Sequence, residues 1–232
     1  MSENTTPTIK PWNDFRDDTT GERLTIGFSG LKDAWRAAEA VQTGDALTIC
    51  GHPVMERWEN EYMRDLASIA TMRGGRVLEV GFGLGISAAF IQQHPIREHV
   101  IIEANREVFI AAEVFAKAAP SPAHVLFGFW EEVVPDLPDG YFQGILFDTY
   151  PLTAEEVHRN HFPFFKEAHR LLGPDGVLTY YSDEIEDFSP EHLARLQEAG
   201  FRSIGSRPCH VDPPQECKYW RAKTILSPII VK

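Results

Sequence analysis

The stretch Arg76-Val77-Leu78-Glu79-Val80-Gly81-Phe82-Gly83-Leu84-Gly85-Ile86-Ser87 decides the fold. Its first five residues are an apolar run of strand length, and three alternating glycines follow before the next periodic segment. Glycines there supply a sharp turn and let the backbone approach a ligand closely. A strand that passes through such a turn into a helix opens a βαβ unit. Downstream, the pattern predicts a helix over 86–93, a strand over 99–103, a helix over 106–119 stopped by Pro120, and strands over 125–127 and 141–148. A helix over 154–172, ended by Gly173-Pro174, a strand over 177–181 and a helix over 190–199 behind Ser189 continue it. The last strands fall at 202–206 and 219–231. Strands alternating with helices mean a parallel sheet covered on both faces. The expected fold is α/β and Rossmann-like, with a seven-stranded, mostly parallel sheet and an antiparallel hairpin at its C-terminal edge.

Upstream, residues 1–30 lack periodicity and read as an arm. A short helix over 33–41, with Asp33 as its N-cap, is broken by Thr43-Gly44-Asp45. His52-Pro53 opens a helix expected to run to 72, with Val54, Trp58, Met63, Leu66 and Ile69 near helical spacing before Gly74-Gly75. The expected organisation is an N-terminal arm or lid over 1–45 and one catalytic domain over 46–232.

The chain's 34 acidic and 22 basic side chains give a net charge of -12. That balance speaks against a nucleic acid partner, which wants a basic face, and suits a cationic small substrate. No apolar run approaches the ~20 residues of a membrane helix. The polar, acidic segment 1–20 is no secretory signal, so the expected compartment is the cytoplasm. Cys50, Cys209 and Cys217 show no C-x-x-C spacing and read as reduced thiols.

Ligands of open α/β sheets bind at the carboxyl ends of the strands. Gly81, Gly83 and Gly85 fall at such an end, and Glu103 closes the second strand, where a carboxylate can accept both hydroxyls of a ribose. A dinucleotide fingerprint wants G-x-G-x-x-G, whereas this run is G-x-G-x-G followed by Ile86-Ser87 and preceded by Glu79. That form looks like methyltransferase motif one and points to S-adenosylmethionine, with S-adenosylhomocysteine as product, over a nicotinamide or flavin. Trp130 and Glu131, after the third strand, would border an adenine ring by stacking and by accepting a hydrogen bond.

Two acidic positions flank this nucleotide-type site: Asp148, ending the fourth strand, and Glu59, within Met55-Glu56-Arg57-Trp58-Glu59. A guanidinium is planar, and its fork of donors matches carboxylate geometry. To methylate one of its nitrogens, a site must aim that nitrogen and accept the proton it sheds. Asp148 and Glu59 are the catalytic candidates and also hold the substrate, with Glu56 as the alternative to Glu59.

His52-Pro-Val-Met-Glu-Arg-Trp-Glu59, Gly75-Arg-Val-Leu-Glu-Val-Gly-Phe-Gly83, Ile101-Ile-Glu103, Phe129-Trp-Glu131 and Gly144-Ile-Leu-Phe-Asp-Thr-Tyr-Pro-Leu152 together resemble guanidinoacetate N-methyltransferase. Cys217-Lys-Tyr-Trp through Ser227-Pro-Ile-Ile-Val231 is similar too. That family moves a methyl group from S-adenosylmethionine to guanidinoacetate. By position, the resemblance implies cofactor contacts from Met55, Met63, Gly81, Phe82, Gly83, Leu84, Gly85, Ile86, Ser87, Glu103, Trp130 and Glu131, and guanidine contacts from Glu59 and Asp148. It also implies an aromatic from the N-terminal arm over the cofactor, either Phe28 or Trp35. The chain departs from the family after the fifth strand. Where the family reads Cys-Asn-Leu-Thr and holds the substrate's acid end, this chain reads Tyr181-Ser182-Asp183-Glu184. Acids there would repel a carboxylate, so Asp183 and Glu184 enter as substrate-binding candidates, and L-arginine or another amine-bearing guanidine competes with guanidinoacetate. The expected partner is a small guanidino compound, with no nucleic acid and no membrane; a homodimer is also entertained.

Other signals are set aside. His158 and His161 lie three apart on a predicted helix, beside His169, but no matching carboxylate or third ligand recurs with that spacing, and a solvent or interface face is expected. No metal is expected. Ser87 lacks a G-x-S-x-G elbow.

Overall fold

The computed structural model describes residues 32–153, 156–217 and 219–232. A short helix, α1 (Lys32–Ala37), leads into a small antiparallel sheet of β1 (Ala40–Gln42), β2 (Ala46–Ile49) and β3 (His52–Glu56). This sheet corrects the helix expected from His52. Leu47 and Ile49 alternate with half-exposed neighbours and are buried, a period of two. Cys50 and Gly51 both take positive φ, 53° and 78°, the backbone of a tight two-residue hairpin. Pro53 is tolerated because β3 is an edge strand, where a missing N–H costs least. The boundary expected at residue 45 falls in the turn between β1 and β2, and the helix expected over 33–41 ends at Ala37.

A 3₁₀ turn (Arg57–Glu59) then feeds α2 (Asn60–Ala70), whose Tyr62, Met63, Leu66, Ala67, Ile69 and Ala70 are buried at helical spacing. The main sheet follows: β4 (Arg76–Val80), α3 (Ile86–Ile91), β5 (Glu98–Glu103), α4 (Arg106–Ala118), β6 (Ala123–Phe127), α5 (Trp130–Val133), β7 (Phe142–Phe147), α6 (Phe165–Leu171), β8 (Leu172–Tyr180), α7 (Pro190–Glu198), β9 (Ser203–His210) and β10 (Thr224–Val231). Its order is β6-β5-β4-β7-β8-β10-β9; the first five strands are parallel, and β10 pairs antiparallel with both β8 and β9. The expected seven-stranded sheet with an antiparallel C-terminal edge is therefore present.

Alternation along β4 assigns the faces. Leu78 and Val80 pack with α6 and α7 through Phe165, Leu171 and Leu196, while Val77 packs with α2 and α3 through Leu66, Ala70 and Ile91. Gly144 is required by this packing, because a Cβ there would lie 1.7 Å from the Ala70 carbonyl oxygen. The helix expected over 154–172 is confined to Phe165–Leu171, after a 3₁₀ turn containing Pro163, because a proline cannot continue the hydrogen-bond ladder. Among the described residues, no helix is long and apolar enough to cross a membrane.

Candidate active site

The carboxyl ends of β4, β5 and β7 open on a cavity of about 290 Å³. β4 lies between β5 and β7, where the strand order reverses, the usual ligand position in such sheets. The glycine turn brings the ends of β4 and β7 together. Gly81 has φ +92°, and a Cβ on it would lie 2.0 Å from the Asp148 carbonyl oxygen. We therefore expect Gly81→Ala to cost about 3 kcal/mol and lower the melting temperature by roughly 6–12 °C. An unchanged thermal transition would show that the two strand ends can separate freely.

Glu103 ends β5 and serves the turn directly: its carboxylate accepts the Phe82 N–H at 3.0 Å and the Asn105 N–H at 2.7 Å. Burial raises its pKa, and those backbone donors work against the rise. The same carboxyl group lines the cavity. Asn105 caps α4 through its Oδ1 and donates from Nδ2 to the carbonyls of Trp35 and Ala38, each at 2.9 Å. The cap thereby ties the α1 segment to the end of β5. Trp35 is buried and stacks on Tyr150 with centroids 5.2 Å apart. Both rings line the cavity, and Tyr150 Oη meets His52 Nδ1 at 2.9 Å. Of the two expected covering aromatics, Trp35 is thus at the site, and Phe28 lies outside the described residues.

Met55, Gly81, Gly83, Glu103, Trp130 and Glu131 line the cavity. Trp130 is held edge-on against Phe147 and Phe164, and Glu131 pairs with Lys32 at 3.1 Å. Phe82, Leu84, Gly85, Ile86 and Ser87 stand behind that wall. The Leu84 N–H points at Met55 Sδ, 3.4 Å away, and Ser87 Oγ donates to Glu79, whose other oxygen lies 2.9 Å from His99 Nε2. Met63 belongs to the apolar cluster under α2 and lines no part of the cavity.

Glu59 and Asp148 face the same cavity. Glu59 sits in the 3₁₀ turn rather than along a continuous helix. Its Oε1 accepts the Glu56 N–H at 2.8 Å and the Tyr219 hydroxyl at 2.6 Å, which aim the carboxyl inward. Burial first, and then the charge of Asp148, push Glu59 up to about 8. Burial, then Asp183 and Glu79, push Asp148 up to about 7. Both groups thus exchange protons near neutrality, where a base of this kind is useful. Glu56, the alternative, turns instead to Trp58 Nε1 at 2.7 Å. Tyr219 carried no role in the sequence reading; its signal was the Cys217-Lys-Tyr-Trp segment, which nothing local ties to Glu59.

The two acids after β8 separate. Asp183 lines the cavity beside His158, Nδ1 to Oδ1 3.3 Å. Glu184 does not line it: its carboxylate takes His192 Nδ1 at 3.1 Å and the Ser189 N–H at 2.9 Å. These partners hold its pKa low against the opposing effect of burial. His161 corrects the expected solvent face. It is buried, lines the cavity, and stacks on Tyr180 with centroids 5.0 Å apart.

The family model for guanidinoacetate N-methyltransferase matches residues 27–232. Among characterised sequences, protein arginine N-methyltransferase 2 of Yarrowia lipolytica is 31% identical over 144 residues, covering 59% of this chain and 30% of that protein. The enzyme of the same name from Aspergillus oryzae is 38% identical over 134 residues, 56% of this chain and 31% of that protein. The chain therefore spans about a third of the length of these relatives. Among solved structures, spermidine synthase from Thermotoga maritima superposes with a TM-score of 0.60 at 17% identity, covering 84% of this chain and 72% of that one. The 1,6-didemethyltoxoflavin-N1-methyltransferase of Burkholderia thailandensis, solved with S-adenosylhomocysteine, gives 0.52 at 19% identity, covering 75% and 80%. At these identities the structural likeness carries the fold alone. The chain belongs to the guanidinoacetate N-methyltransferase family and has the fold of a class I S-adenosylmethionine-dependent methyltransferase.

Proposed function

We propose that this protein methylates a guanidino nitrogen of a small molecule related to guanidinoacetate, with S-adenosylmethionine as donor. One observation carries the reading: two carboxyl groups, the buried Glu59 and the half-buried Asp148, converge on the cavity beside the glycine turn, and both are raised into the neutral range. The cofactor, when bound, supplies an electrophilic methyl group. Its site would be built from the Gly81–Gly83 backbone, Glu103, Met55, Trp130 and Glu131. The fit is physical: Gly81 and Gly83 bring backbone without side chains to the cavity wall, and the buried Glu103 carboxyl lines the cavity beside them.

A guanidinium entering between the carboxyls replaces their protons as the source of neutrality. Glu59, fixed by Tyr219, orients the planar cation. As the N–CH₃ bond forms, the attacked nitrogen sheds its proton to the Asp148 carboxylate, and the positive charge remains on the methylated guanidinium. Guanidine binding at pH 7 is therefore accompanied by proton release. Calorimetry in two buffers of different ionisation enthalpy measures this, and identical apparent enthalpies would remove the charge-replacement step.

Glu103→Ala is expected to weaken S-adenosylhomocysteine binding by about 10–100-fold, since it removes both a ligand contact and the anchor of the turn. A wild-type dissociation constant by calorimetry would exclude that role. The function itself is tested by methyl transfer from labelled S-adenosylmethionine to guanidinoacetate, L-arginine, agmatine and an arginine-containing peptide. Turnover of a free guanidine supports the reading. Turnover of the peptide alone would replace it with a protein substrate, the class named for the fungal relatives.

A further inference from the structure

We propose that Asp183 and His161 form an ammonium subsite, in which the ligand's ammonium takes the place of His158 at Asp183, so that the acceptor is a guanidine whose tail ends in an amine and not in a carboxylate. The inference rests on the reading in which Glu59 and Asp148 hold the guanidinium, and it assigns the other end of the same molecule.

Three observations carry it. The first is backbone geometry. Asp183 and His158 come from separate loops, yet both take left-handed conformations, φ 56° and 63°, and their side chains meet at 3.3 Å in the cavity wall. Non-glycine residues adopt that conformation seldom, and Asp and His are among those that tolerate it. Two such residues converging on one contact are over-determined by the fold, a pattern that gathers at ligand sites.

The second is an orphaned ring. His161 is 1% exposed, lines the cavity, and has a hydrogen-bond partner at neither nitrogen. Burial, and then the neighbouring His192 and His158, hold it neutral. A neutral imidazole offers a lone pair to an ammonium donor, and Asp183 offers a charge. An unmet buried polar group is costly, so a ligand that satisfies it is favoured.

The third is charge. Among the described residues lining the cavity, Lys32 is already paired with Glu131, and His158 faces Asp183. A carboxylate tail would therefore lie beside Asp183 with no described cation assigned to it. Glu184 plays no part, because its carboxylate is held by His192 and Ser189.

The test is calorimetric titration of the full chain, saturated with S-adenosylhomocysteine, with methylguanidine, guanidinoacetate, aminoethylguanidine and agmatine. The wild type is expected to bind the two amine-ended guanidines about 10–100-fold more tightly than guanidinoacetate. In Asp183→Asn, which keeps a residue tolerant of positive φ, that ratio is expected to fall at least about ten-fold. His161→Phe, which keeps the stacked ring, provides an independent arm and is also expected to reduce the ratio. Tighter binding of guanidinoacetate by the wild type, or a ratio unchanged in both variants, would overturn the subsite. Methylguanidine separates the two levels of the argument. If it fails to bind the wild type, the guanidinium reading fails and the subsite with it. If it binds while guanidinoacetate is preferred, only the subsite fails.

Discussion

Asp148→Asn is expected to lower kcat by about 10²–10⁴-fold while S-adenosylhomocysteine affinity is kept. The substitution preserves the size of the side chain and its place at the end of β7, where the Asp148 N–H is anchored on the Val80 carbonyl at 2.9 Å. It removes the one property the reaction needs, an oxygen that can take a proton from the attacked nitrogen. Burial with Asp183 and Glu79 nearby sets Asp148 at about 7, so the wild-type rate should rise as pH passes through neutrality and the base becomes free. The variant should lose that limb. Single-turnover kinetics across pH 5.5–9, ~1.5–2 units either side of neutrality, make the measurement. A variant with wild-type rate and an intact pH profile would move the base elsewhere.

Glu59→Gln is expected to lower kcat/KM by about 30-fold to several thousand-fold, the loss that follows when one partner of a buried charge pair is removed at about 2–5 kcal/mol. The same change should make the unliganded protein more stable. Glu59 is raised to about 8 and Asp148 to about 7, both above ordinary carboxyl values. Between roughly pH 4 and 8 the folded state then binds more protons than the unfolded state, so stability falls as pH rises. The contribution is present below the unfolded pKa and is lost as pH climbs through the folded values. Glutamine keeps an oxygen for the Glu56 N–H and the Tyr219 hydroxyl but has no proton to lose. The melting temperature of Glu59→Gln should exceed that of wild type at pH 8, with a shallower decline from pH 5. Equal slopes would mean that Glu59 ionises without penalty and that its burial does not tune the site. Activity lost together with stability gained is what a carboxyl kept for binding, rather than for folding, produces.

The two predictions rest on features of different origin. Asp148 was legible from its place alone: an apolar run, Gly144 to Phe147, ends in an acid, and in a parallel sheet such an end faces the ligand. Glu103 and the glycines were legible for the same reason, because strand period and turn chemistry are local properties. The first hairpin was misread because Pro53 suits both the first turn of a helix and an edge strand, and only the burial of Leu47 and Ile49 decides between them. Tertiary structure alone decided the partners. Tyr219 lies 160 residues from the Glu59 it orients. Asp183 and Glu184 are adjacent and chemically alike, yet one lines the cavity and the other caps into His192 and Ser189. A sequence records which faces must be buried, because burial follows a short period along the chain. Which of two neighbouring acids turns inward depends on what the rest of the chain packs beside it, here His158 in one loop and His192 on α7.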